Sequence, residues 1–445
     1  MPLPAGRESI DADIAVIGAG SATNALVHAL TGAPSVVVFE GALVGGTCPF
    51  DACIPSKSLI HDGAIGRSWS TAGERRRELV HHHDDESHAA SLKAAADVRL
   101  VRERARLASA GLVLSDSYAV RADHVVIATG AVPVVPDIEG LDAIADRTWS
   151  SGDALRTSTP PARLLIAGGG VTGCELARLF SSFGTDVVLL EPEDQLFGEL
   201  QPEVADAVSA AVARTATIRT GFVPTTARRH GDGVAIVGAD GEELRADRLL
   251  LATGRRPQLE GIGLESLGVP SGQPLPLDER GRVRIGGSVW AIGDVCGREQ
   301  YTHAAVHHGR VVADHLTGAG TRRFDDVVSA ACMFVDPPMM TVGPSCADTA
   351  DDDDVVWATA GLDVAARAAT DESSGVLALA GRRTTGLLVG GHGIGQSFDE
   401  LVHALIVAVD GQVPIERLLQ SMVPFPTMGD VLHAGLRRLL PTLDP

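Results

Sequence analysis

The stretch that decides the fold begins Ile14-Ala15-Val16-Ile17-Gly18-Ala19-Gly20-Ser21. Its four apolar residues predict a short buried strand, and the two glycines predict a tight turn into a helix. The first glycine permits the turn, and the second lets the backbone approach a pyrophosphate at the helix N-terminus. A second apolar run ends at Glu40, whose carboxylate can accept hydrogen bonds from a ribose hydroxyl. The stretch therefore predicts a βαβ dinucleotide site.

The same pattern occurs again about 150 residues later. Apolar residues 164–167 lead into Gly168-Gly169-Gly170-Val171-Thr172-Gly173, a helix is expected through Phe183, and another apolar run ends at Glu191. A lone glycine-rich turn can be a simple strand–helix connection, but two copies in the same context predict two dinucleotide-binding domains. The first copy differs at Thr23, where Gly or Ala is usual for close helix–strand packing.

Three further apolar strands are predicted along the chain. Two of them end in the same tripeptide, Ala128-Thr129-Gly130 and Ala252-Thr253-Gly254, and a third runs into Gly293-Asp294. After Arg323 the pattern changes to that of an α+β domain without a nucleotide fingerprint. In this part, strands are expected at 324–330, 331–335, 376–380 and 387–389, and helices at 398–409 and 415–422.

Composition limits the class of protein. The chain has 445 residues, of which 45% are hydrophobic and 21% charged, as in globular multidomain proteins. A formal net charge of −20 argues against binding to nucleic acid. Residues 1–13 have no apolar segment typical of a signal peptide, and no apolar run approaches the roughly 18 residues that cross a bilayer. We therefore expect a cytoplasmic protein that does not bind a membrane.

The most informative stretch contains two cysteines and a lysine. It reads Gly45-Gly46-Thr47-Cys48-Pro49-Phe50-Asp51-Ala52-Cys53-Ile54-Pro55-Ser56-Lys57. Cysteines at this spacing can close a small disulfide ring in a helical turn, and a thiolate near a helix N-terminus and a cation becomes nucleophilic. Two buried structural thiols are the alternative, and a zinc site is a weaker one because no second ligand pair lies nearby. Lys57 is notable because the chain has only one other lysine, Lys93.

This string resembles the redox signature of the FAD-dependent pyridine nucleotide–disulfide oxidoreductases, which include lipoamide dehydrogenase, glutathione reductase and mercuric reductase. The order of the motifs along the chain is similar to theirs. The resemblance implies an α/β fold with two Rossmann-like domains, for FAD and NAD, and a C-terminal α+β dimerisation domain. It implies an FAD-binding domain at 1–150 and 273–324, an NAD(P)-binding domain at 151–272 and an interface domain at 325–445.

The resemblance also implies roles for individual residues. Cys53 is expected to be the thiol against the flavin, and Cys48 the thiol that exchanges with substrate. Lys57 is expected near flavin N5, paired with Glu175, although a surface lysine and a helix-capping glutamate are the alternatives. The residues expected to bind the two dinucleotides are Gly18, Gly20, Ser21, Glu40, Thr47, Lys57, Thr129, Gly130, Asp294, His303, Ala304, Gly168, Gly170, Gly173, Glu191 and Gly254.

Within that set, three positions have a specific place at the flavin. The resemblance implies that Thr47 lies beside the flavin and that Asp294 holds the ribityl chain. It implies that the helix beginning near His303 points its N-terminus at the flavin pyrimidine. The choice of nicotinamide can be predicted from the residues themselves. Glu191 is followed by Pro192-Glu193-Asp194, and a carboxylate without a neighbouring arginine favours NADH over NADPH.

One position departs from the family pattern. The family places a His-Pro-Thr string and a glutamate in the interface domain, and the histidine serves as acid–base group at the partner subunit's cysteines. Here the string is Phe425-Pro426-Thr427, with Asp430 in place of the glutamate. Phenylalanine cannot transfer a proton, and general acid–base catalysis typically contributes about 10²–10⁴-fold. Ordinary dithiol turnover is therefore expected to be impaired unless another group, such as His392 or His433, replaces the histidine.

The resemblance implies a homodimeric oxidoreductase that passes electrons from NADH through FAD to a Cys48–Cys53 disulfide and on to a disulfide or similar small acceptor. Alternatives are a reductase of a non-disulfide acceptor (Hg(II), a quinone or a reactive oxidant), a thiol oxidase, or a flavin-binding redox sensor without turnover. Mercuric reductases also lack the histidine, but they use a further C-terminal cysteine pair, and this chain has no cysteine after Cys346.

The remaining polar features are expected to be structural. Residues 81–88, which contain four histidines, are expected to form a solvated loop rather than a metal site, and no metal is expected. Residues 351–354 are expected to form an exposed acidic turn. The other cysteines are expected to be small core or loop residues. They are Cys174, Cys296, Cys332 and Cys346.

Overall fold

A computed structural model describes residues 6–95, 97–270, 272–318 and 320–443. The first five residues, which entered the expectation about a signal peptide, lie outside them. The strands are β1 Glu8–Ile17, β2 Ser35–Phe39, β3 Asp97–Val101, β4 Arg106–Ser109, β5 Leu112–Leu114, β6 Tyr118–Ile127, β7 Ala131–Pro133, β8 Thr148–Trp149, β9 Arg163–Ala167, β10 Asp186–Leu190, β11 Thr217–Arg219, β12 Pro224–His230, β13 Gly233–Gly238, β14 Glu243–Ala246, β15 Arg248–Leu251, β16 Arg255–Pro257, β17 Val289–Ala291, β18 Ala330–Met333, β19 Met339–Val342, β20 Val355–Gly361, β21 Val376–Arg382 and β22 Leu387–Ile394. The α-helices are α1 Ser21–Ala29, α2 Thr47–Asp51, α3 Cys53–Ala64, α4 Trp69–Leu79, α5 Glu86–Ala95, α6 Ser151–Arg156, α7 Val171–Ser182, α8 Pro202–Ala213, α9 Thr302–Leu316, α10 Ala366–Thr370, α11 Phe398–Asp410, α12 Ile415–Leu419 and α13 Gly429–Leu439.

The described residues fall into two compact units. The first takes residues up to Pro55, then Glu74–Val134 and Arg255–Asp326. Its main sheet has the order β3-β2-β1-β6-β5-β4, with β17 also paired to β6. Strand β1 lies between β2 and β6 and is parallel to both. Alternate side chains of β1 and β2 belong to two different hydrophobic clusters, so both faces of the sheet are buried. This is why these strands are continuous apolar runs in the sequence.

The second unit takes Ser56–Gly73, Val135–Gly254 and the residues from Val327 onward. It contains a parallel sheet of order β11-β10-β9-β15-β8 and an antiparallel sheet of order β12-β13-β14. Strand β9 again lies between its neighbours, with Leu164 and Leu165 in different hydrophobic clusters. A separate antiparallel sheet, β18-β19-β22-β21-β20, packs against α11 and α13. The boundaries of the units differ from the predicted domain limits, which stay predictions.

The strand predicted at 324–330 is wrong. Residues Phe324–Asp326 form a 3₁₀ turn, and the strand begins only at Ala330. The turn forms because the Asp326 carboxylate accepts a hydrogen bond from the backbone N–H of Arg323 at 2.7 Å. The apolar residue that suggested a strand, Phe324, is 4% exposed because its ring stacks on His308 at 3.8 Å. The helix predicted at 415–422 ends earlier, at Leu419.

Among the described residues, none of the helices combines the length and the apolar character that crossing a bilayer requires.

Candidate active site

The first glycine-rich turn is fixed by its neighbours in the sheet. Gly18 follows β1 with φ of +105°, and a Cβ there would lie 2.3 Å from the carbonyl oxygen of Ala128. Thr23, in the place where the pattern usually has Gly or Ala, is fully buried, and its hydroxyl donates to the Gly18 carbonyl at 2.7 Å. The threonine therefore fits the turn because its one polar group is satisfied by the turn itself.

This turn has the features that a pyrophosphate and a ribose need. Helix α1 begins directly after Gly20, and the glycine leaves its backbone open, with Gly46 Cα the nearest described atom to a Cβ at 3.9 Å. Glu40 stands at the end of β2, where Oε2 accepts from Ala19 N–H at 2.8 Å. A carboxylate has lone pairs beyond those used here, so a ribose hydroxyl can still donate to it. The residues present fit the adenosine half of FAD.

The cysteine-containing segment is joined to this turn. The N–H of Gly45 donates to the carbonyl of Ala19 at 2.8 Å, and Gly45 forms a β-bridge with Gly20. Gly45 and Gly46 have φ of +115° and +74°, which residues other than glycine rarely adopt. The two glycines therefore let the chain pass the dinucleotide turn before α2 begins at Thr47.

The cysteines lie on consecutive short elements, Cys48 in the first turn of α2 and Cys53 at the start of α3. Both are half-buried. The Cys53 sulfur lies 3.6 Å from the hydroxyl of Thr302, the first residue of α9. A hydroxyl and a helix N-terminus both favour a thiolate. Thr302 was not among the predicted site residues, although its place directly before His303 is a signal in the sequence that points to it.

Other predicted FAD residues lie in the same unit. His303 and Ala304 are in the first turn of α9, and the His303 ring stacks on Tyr301 at 5.3 Å. Thr129 donates its hydroxyl to the Gln258 carbonyl at 2.7 Å. Ser21 begins α1, Thr47 is exposed, and Gly130 has φ of +74°.

Asp294 is paired with Arg255, which was not among the predicted site residues. Its carboxylate lies 2.9 Å from Nη2 of Arg255. Burial raises the pKa of Asp294, and the charge of Arg255 and its hydrogen bond oppose that rise. The carboxylate is thus held in a partly desolvated position, where an additional hydroxyl donor would stabilise its charged form.

The second glycine-rich turn, in the second unit, repeats the geometry of the first. Gly168 has φ of +108°, and a Cβ there would lie 2.4 Å from the Ala252 carbonyl oxygen. A Cβ on Gly173 would lie 1.9 Å from the carbonyl oxygen of Gly168, so only glycine fits. At Gly170 no described atom lies within 4 Å of a Cβ, which leaves room for a phosphate. Gly254, with φ of +98°, is similarly open among the described atoms.

Glu191 occupies the same position in this turn as Glu40 does in the first. Its Oε2 accepts from Gly169 N–H at 2.8 Å, and its Oε1 accepts from Glu193 N–H at 3.0 Å. The neighbouring strand contributes one arginine, Arg219, whose guanidinium lies 3.6 Å from Glu242. The residues present fit a nicotinamide dinucleotide.

Lys57 lies on α3, four residues after Cys53, and contacts Glu175 in the second unit. Its Nζ is 2.7 Å from Glu175 Oε2, with side-chain exposures of 37% and 7%. Glu175 Oε1 accepts from the backbone N–H of Phe334 at 3.0 Å, and Lys57 Nζ lies 5.0 Å from the centre of the Phe334 ring. Phe334 was not predicted, since no spacing in the sequence connects it with Lys57.

Three of the other cysteines are held as neutral thiols. Burial raises the pKa of Cys174 to about 12 and that of Cys332 to about 11, and it raises the pKa of Cys296 as well. The Cys174 thiol donates to the Gly169 carbonyl at 3.2 Å. Cys346 accepts from the side chain of Gln201 at 3.0 Å. Raised pKa values make the first three weak nucleophiles at neutral pH.

The two histidines considered as replacements for the missing acid–base group differ. His392 is 1% exposed, its Nε2 accepts from Gln201 N–H at 3.0 Å, and burial lowers its pKa to about 4. It cannot exchange protons with a substrate at neutral pH. His433 is half-buried on α13 and lies 3.2 Å from the Ser421 hydroxyl. Phe425 is 77% exposed.

The histidine-rich segment is more ordered than the loop that the sequence predicted. His81–His83 form a 3₁₀ turn and Glu86–Ala95 a helix. The segment packs because His88 contacts the ring of Phe50 at 5.3 Å and His83 lies 3.3 Å from Asp51. Among the described residues, no group of three or more His, Cys, Asp or Glu side chains is arranged to hold a metal ion.

Comparison with known proteins gives the same assignment for nearly the whole chain. A family model described as pyridine nucleotide-disulphide oxidoreductase matches residues 12–309, and that of the family's dimerisation domain matches residues 329–434. Mercuric reductase of Staphylococcus aureus is 28% identical, over 98% of this chain and 83% of that protein. Dihydrolipoyl dehydrogenase of Pseudomonas aeruginosa is 29% identical, over 95% of this chain and 96% of that protein.

A solved structure shows the same fold. The HOCl-induced flavoprotein disulfide reductase RclA from Escherichia coli superposes with a TM-score of 0.87, at 24% identity, over 96% of this chain and 99% of that one. The matches confirm the α/β fold with two Rossmann-like domains and a C-terminal dimerisation domain that the sequence predicted.

Proposed function

The chain belongs to the pyridine nucleotide-disulphide oxidoreductase family, an FAD-dependent family of oxidoreductases, and we propose that it is an NADH-dependent reductase whose electrons leave through Cys48. The observation that carries the proposal is the position of the cysteine pair. The segment before it is hydrogen-bonded to the dinucleotide turn at Ala19, and Cys53 lies beside the N-terminal residue of α9.

The proposed FAD residues are those at the first turn, at the cysteine segment and at α9. When bound, FAD supplies the transfer of two electrons from the reduced nicotinamide to a disulfide. Reduction of the Cys48–Cys53 bond leaves a thiolate at Cys53, stabilised by the Thr302 hydroxyl and the helix N-terminus, and a thiol at Cys48. Lys57, held by Glu175, contributes a positive charge.

Oxidation of the pair by a disulfide substrate takes two exchange steps. Cys48 loses its proton, attacks one substrate sulfur as a thiolate, forms a mixed disulfide and releases the first substrate thiolate, which is protonated in turn. Cys53 then attacks Cys48, re-forms the Cys48–Cys53 bond and releases the second thiol. Each leaving thiolate needs a proton, and Phe425 cannot supply one. Of the two histidines considered, His433 is the proposed source, because His392 is buried and its pKa is lowered to about 4.

A second acceptor class is favoured by Phe425 itself. An acceptor that takes electrons without releasing a basic thiolate, such as Hg(II), a quinone or a reactive oxidant, does not require the missing histidine. The similarity to a mercuric reductase is consistent with this class. A thiol oxidase and a flavin-binding redox sensor remain as outcomes of the experiment below.

The preference for NADH rests on Glu191. Both of its oxygens accept backbone N–H groups, which fixes a negative charge where a 2′-phosphate would have to lie. The neighbouring Arg219 lies next to Glu242, which reduces the attraction it could offer to a phosphate.

The proposal is tested by anaerobic titration of the FAD-loaded protein with NADH. We expect flavin reduction and a long-wavelength thiolate–flavin absorbance, which Cys53→Ser abolishes and the matched control Cys332→Ser retains. Absence of flavin reduction in the unmodified protein would favour the redox-sensor alternative and reject the proposal. Turnover of disulfides, quinones, Hg(II) and oxygen is then compared with Cys48→Ser. Turnover that survives this substitution would show that Cys48 is not the exit.

A further inference from the structure

Two residues near Lys57, Arg178 and Phe334, have no role assigned by the sequence motifs or by the similar proteins. Both lie in the second unit, where α7 meets the residues that follow β18. Glu175 and Arg178 are three residues apart on α7 and therefore lie on the same face of the helix. Phe334 is the first residue after β18.

The α7 face binds both backbone groups of Phe334. Glu175 Oε1 accepts its N–H at 3.0 Å. Arg178 Nη1 donates to the carbonyls of Phe334 and Val335 at 2.9 and 2.8 Å. Hydrogen bonds to charged groups are stronger than those between neutral groups, so the position of this peptide is closely defined. Burial lowers the pKa of Arg178, and the charges of Asp336 and Glu175 oppose that effect.

Two of these residues, Glu175 and Phe334, contact the ammonium group of Lys57. Its Nζ donates to Glu175 Oε2 at 2.7 Å, and the Phe334 ring centre lies 5.0 Å away. The lysine side chain is 37% exposed, and a four-carbon stem has many rotamers in water. A carboxylate on one side and an aromatic ring on another restrict the ammonium to a small region. The ring can do this only while its own backbone is held.

We propose that Arg178 and Phe334 are positioning residues for Lys57: Arg178 fixes the peptide at 334–335, and the Phe334 ring then holds the ammonium in the orientation in which Glu175 accepts from it. This proposal rests on the proposed function, because it takes the charge of Lys57 to act on the flavin reaction. It goes beyond the Lys57–Glu175 pair, because two further side chains are proposed to determine the geometry of that pair.

A purely structural role is the competing explanation, and the chain offers a matched control for it. Arg214, at the end of α8, also donates to a backbone carbonyl of this segment, that of Asp336. No described contact joins Arg214 to Glu175 or Lys57. Arg214→Gln therefore loosens the same segment without touching the lysine.

The experiment compares Arg178→Gln, Phe334→Leu, Phe334→Tyr and Arg214→Gln in the FAD-loaded protein, each alone and combined with Lys57→Met. The readouts are the midpoint potential of the bound flavin, the rate of flavin reduction by NADH in stopped flow, and the KM for NADH. We expect Phe334→Leu and Arg178→Gln to slow reduction by about two- to tenfold, the range of a part-exposed cation–π contact and its support. The potential should move in the same direction as in Lys57→Met, with an unchanged KM.

The decisive result is the combination with Lys57→Met. If the two residues act through the lysine, neither Phe334→Leu nor Arg178→Gln has a further effect once Lys57 is methionine. Phe334→Tyr, which keeps the ring, and Arg214→Gln should behave as the unmodified protein. Equal effects in both backgrounds, or an Arg214→Gln effect as large as that of Arg178→Gln, would overturn the proposal. Failure of NADH to reduce the unmodified protein would instead reject the proposed function.

Discussion

At the scale of single residues, the contact between Cys53 and Thr302 connects the predicted chemistry with a specific hydrogen bond. The sulfur and the hydroxyl oxygen are 3.6 Å apart, within the range of a hydrogen bond to sulfur. A hydroxyl that donates to sulfur stabilises the thiolate and not the thiol, so it lowers the pH at which the thiolate forms. Thr302 also begins α9, whose N-terminal N–H groups act in the same direction.

Replacing Thr302 by valine, which has the same shape and no hydroxyl, should move thiolate formation at Cys53 to higher pH. We expect a displacement of about half to one pH unit, the value of one modest hydrogen bond. The measurement is the pH dependence of alkylation of the protein without FAD, in a Cys48→Ser background. Thr302→Ser keeps the hydroxyl and serves as the control. Identical pH profiles for the valine and serine variants would show that the hydroxyl has no part in thiolate formation.

Thr23 and Phe425 show what a single departure from a pattern means. Thr23 replaces a small residue, yet its hydroxyl is satisfied by the Gly18 carbonyl at 2.7 Å, so the turn is intact. Phe425 is 77% exposed, so no packing requirement of the described residues accounts for an aromatic ring there. The first departure is structural and leaves the chemistry unchanged. The second removes a proton donor from the surface.

At the scale of elements, the strands and turns of the two dinucleotide sites could be predicted because local patterns determine them. Apolar runs, positive-φ glycines and a terminal carboxylate lie within about 25 residues of one another in each copy. The 3₁₀ turn at Phe324–Asp326 was missed because a side chain, that of Asp326, satisfies the backbone there. Helix α13 was not predicted, because the residues around Phe425 were interpreted only as a motif.

In the candidate site, too, the residues that are close together in the sequence could be predicted, and the contacts between distant residues could not. Cys48, Cys53 and Lys57 lie in one string, so spacing alone brought them together. Phe334 and Arg178 could not be predicted, because their contacts depend on how the end of β18 meets α7. Such contacts join residues far apart in sequence and leave no periodic signal.

The junction between β22 and α8 makes the stability of the protein sensitive to acid. His392, on β22, accepts a hydrogen bond from the N–H of Gln201, which precedes α8, and so must be neutral. Burial lowers its pKa from 6.5 to about 4. In the unfolded chain the histidine binds a proton below pH 6.5, whereas in the folded chain it does so only near pH 4. Its contribution is therefore present above pH 6.5 and is lost as the pH falls towards 4, by about 3 kcal/mol in total.

Replacing His392 by glutamine, which can still accept from Gln201 N–H, should make the protein less sensitive to acid. The Tm of the unmodified protein should fall between pH 7 and pH 5, and the fall should be smaller in His392→Gln. His433→Gln, which alters a half-buried histidine on α13, is the control and should show the full decrease. An equal decrease in the His392 variant would mean that this residue is not the source of the acid sensitivity. Burial lowers the pKa of His308 to about 3, so His308 adds to the acid sensitivity of all three proteins in the same direction.

At the scale of the whole molecule, helix α11 offers a surface at which we expect two copies to associate. Of its nine apolar residues, Phe398, Leu405 and Ala408 are buried, and four more are half-buried against the same hydrophobic cluster. Val407 is 55% exposed on the opposite side. Burying the exposed face around Val407 is favourable, and α11 lies inside the region that matches a dimerisation domain. A second copy of this chain is therefore the expected occupant of that face.

Val407→Glu should convert the protein from dimer to monomer, because a carboxylate buried in an apolar interface without a partner is strongly unfavourable. Sedimentation velocity at micromolar concentration measures the change directly. Ile65→Glu is a matched control, since Ile65 is also 55% exposed but lies outside the dimerisation domain. If the Val407 variant sediments as the unmodified protein does, α11 is not the interface. If the unmodified protein is itself a monomer, the proposal that two copies associate fails. If the Ile65→Glu variant is a monomer, the interface lies elsewhere.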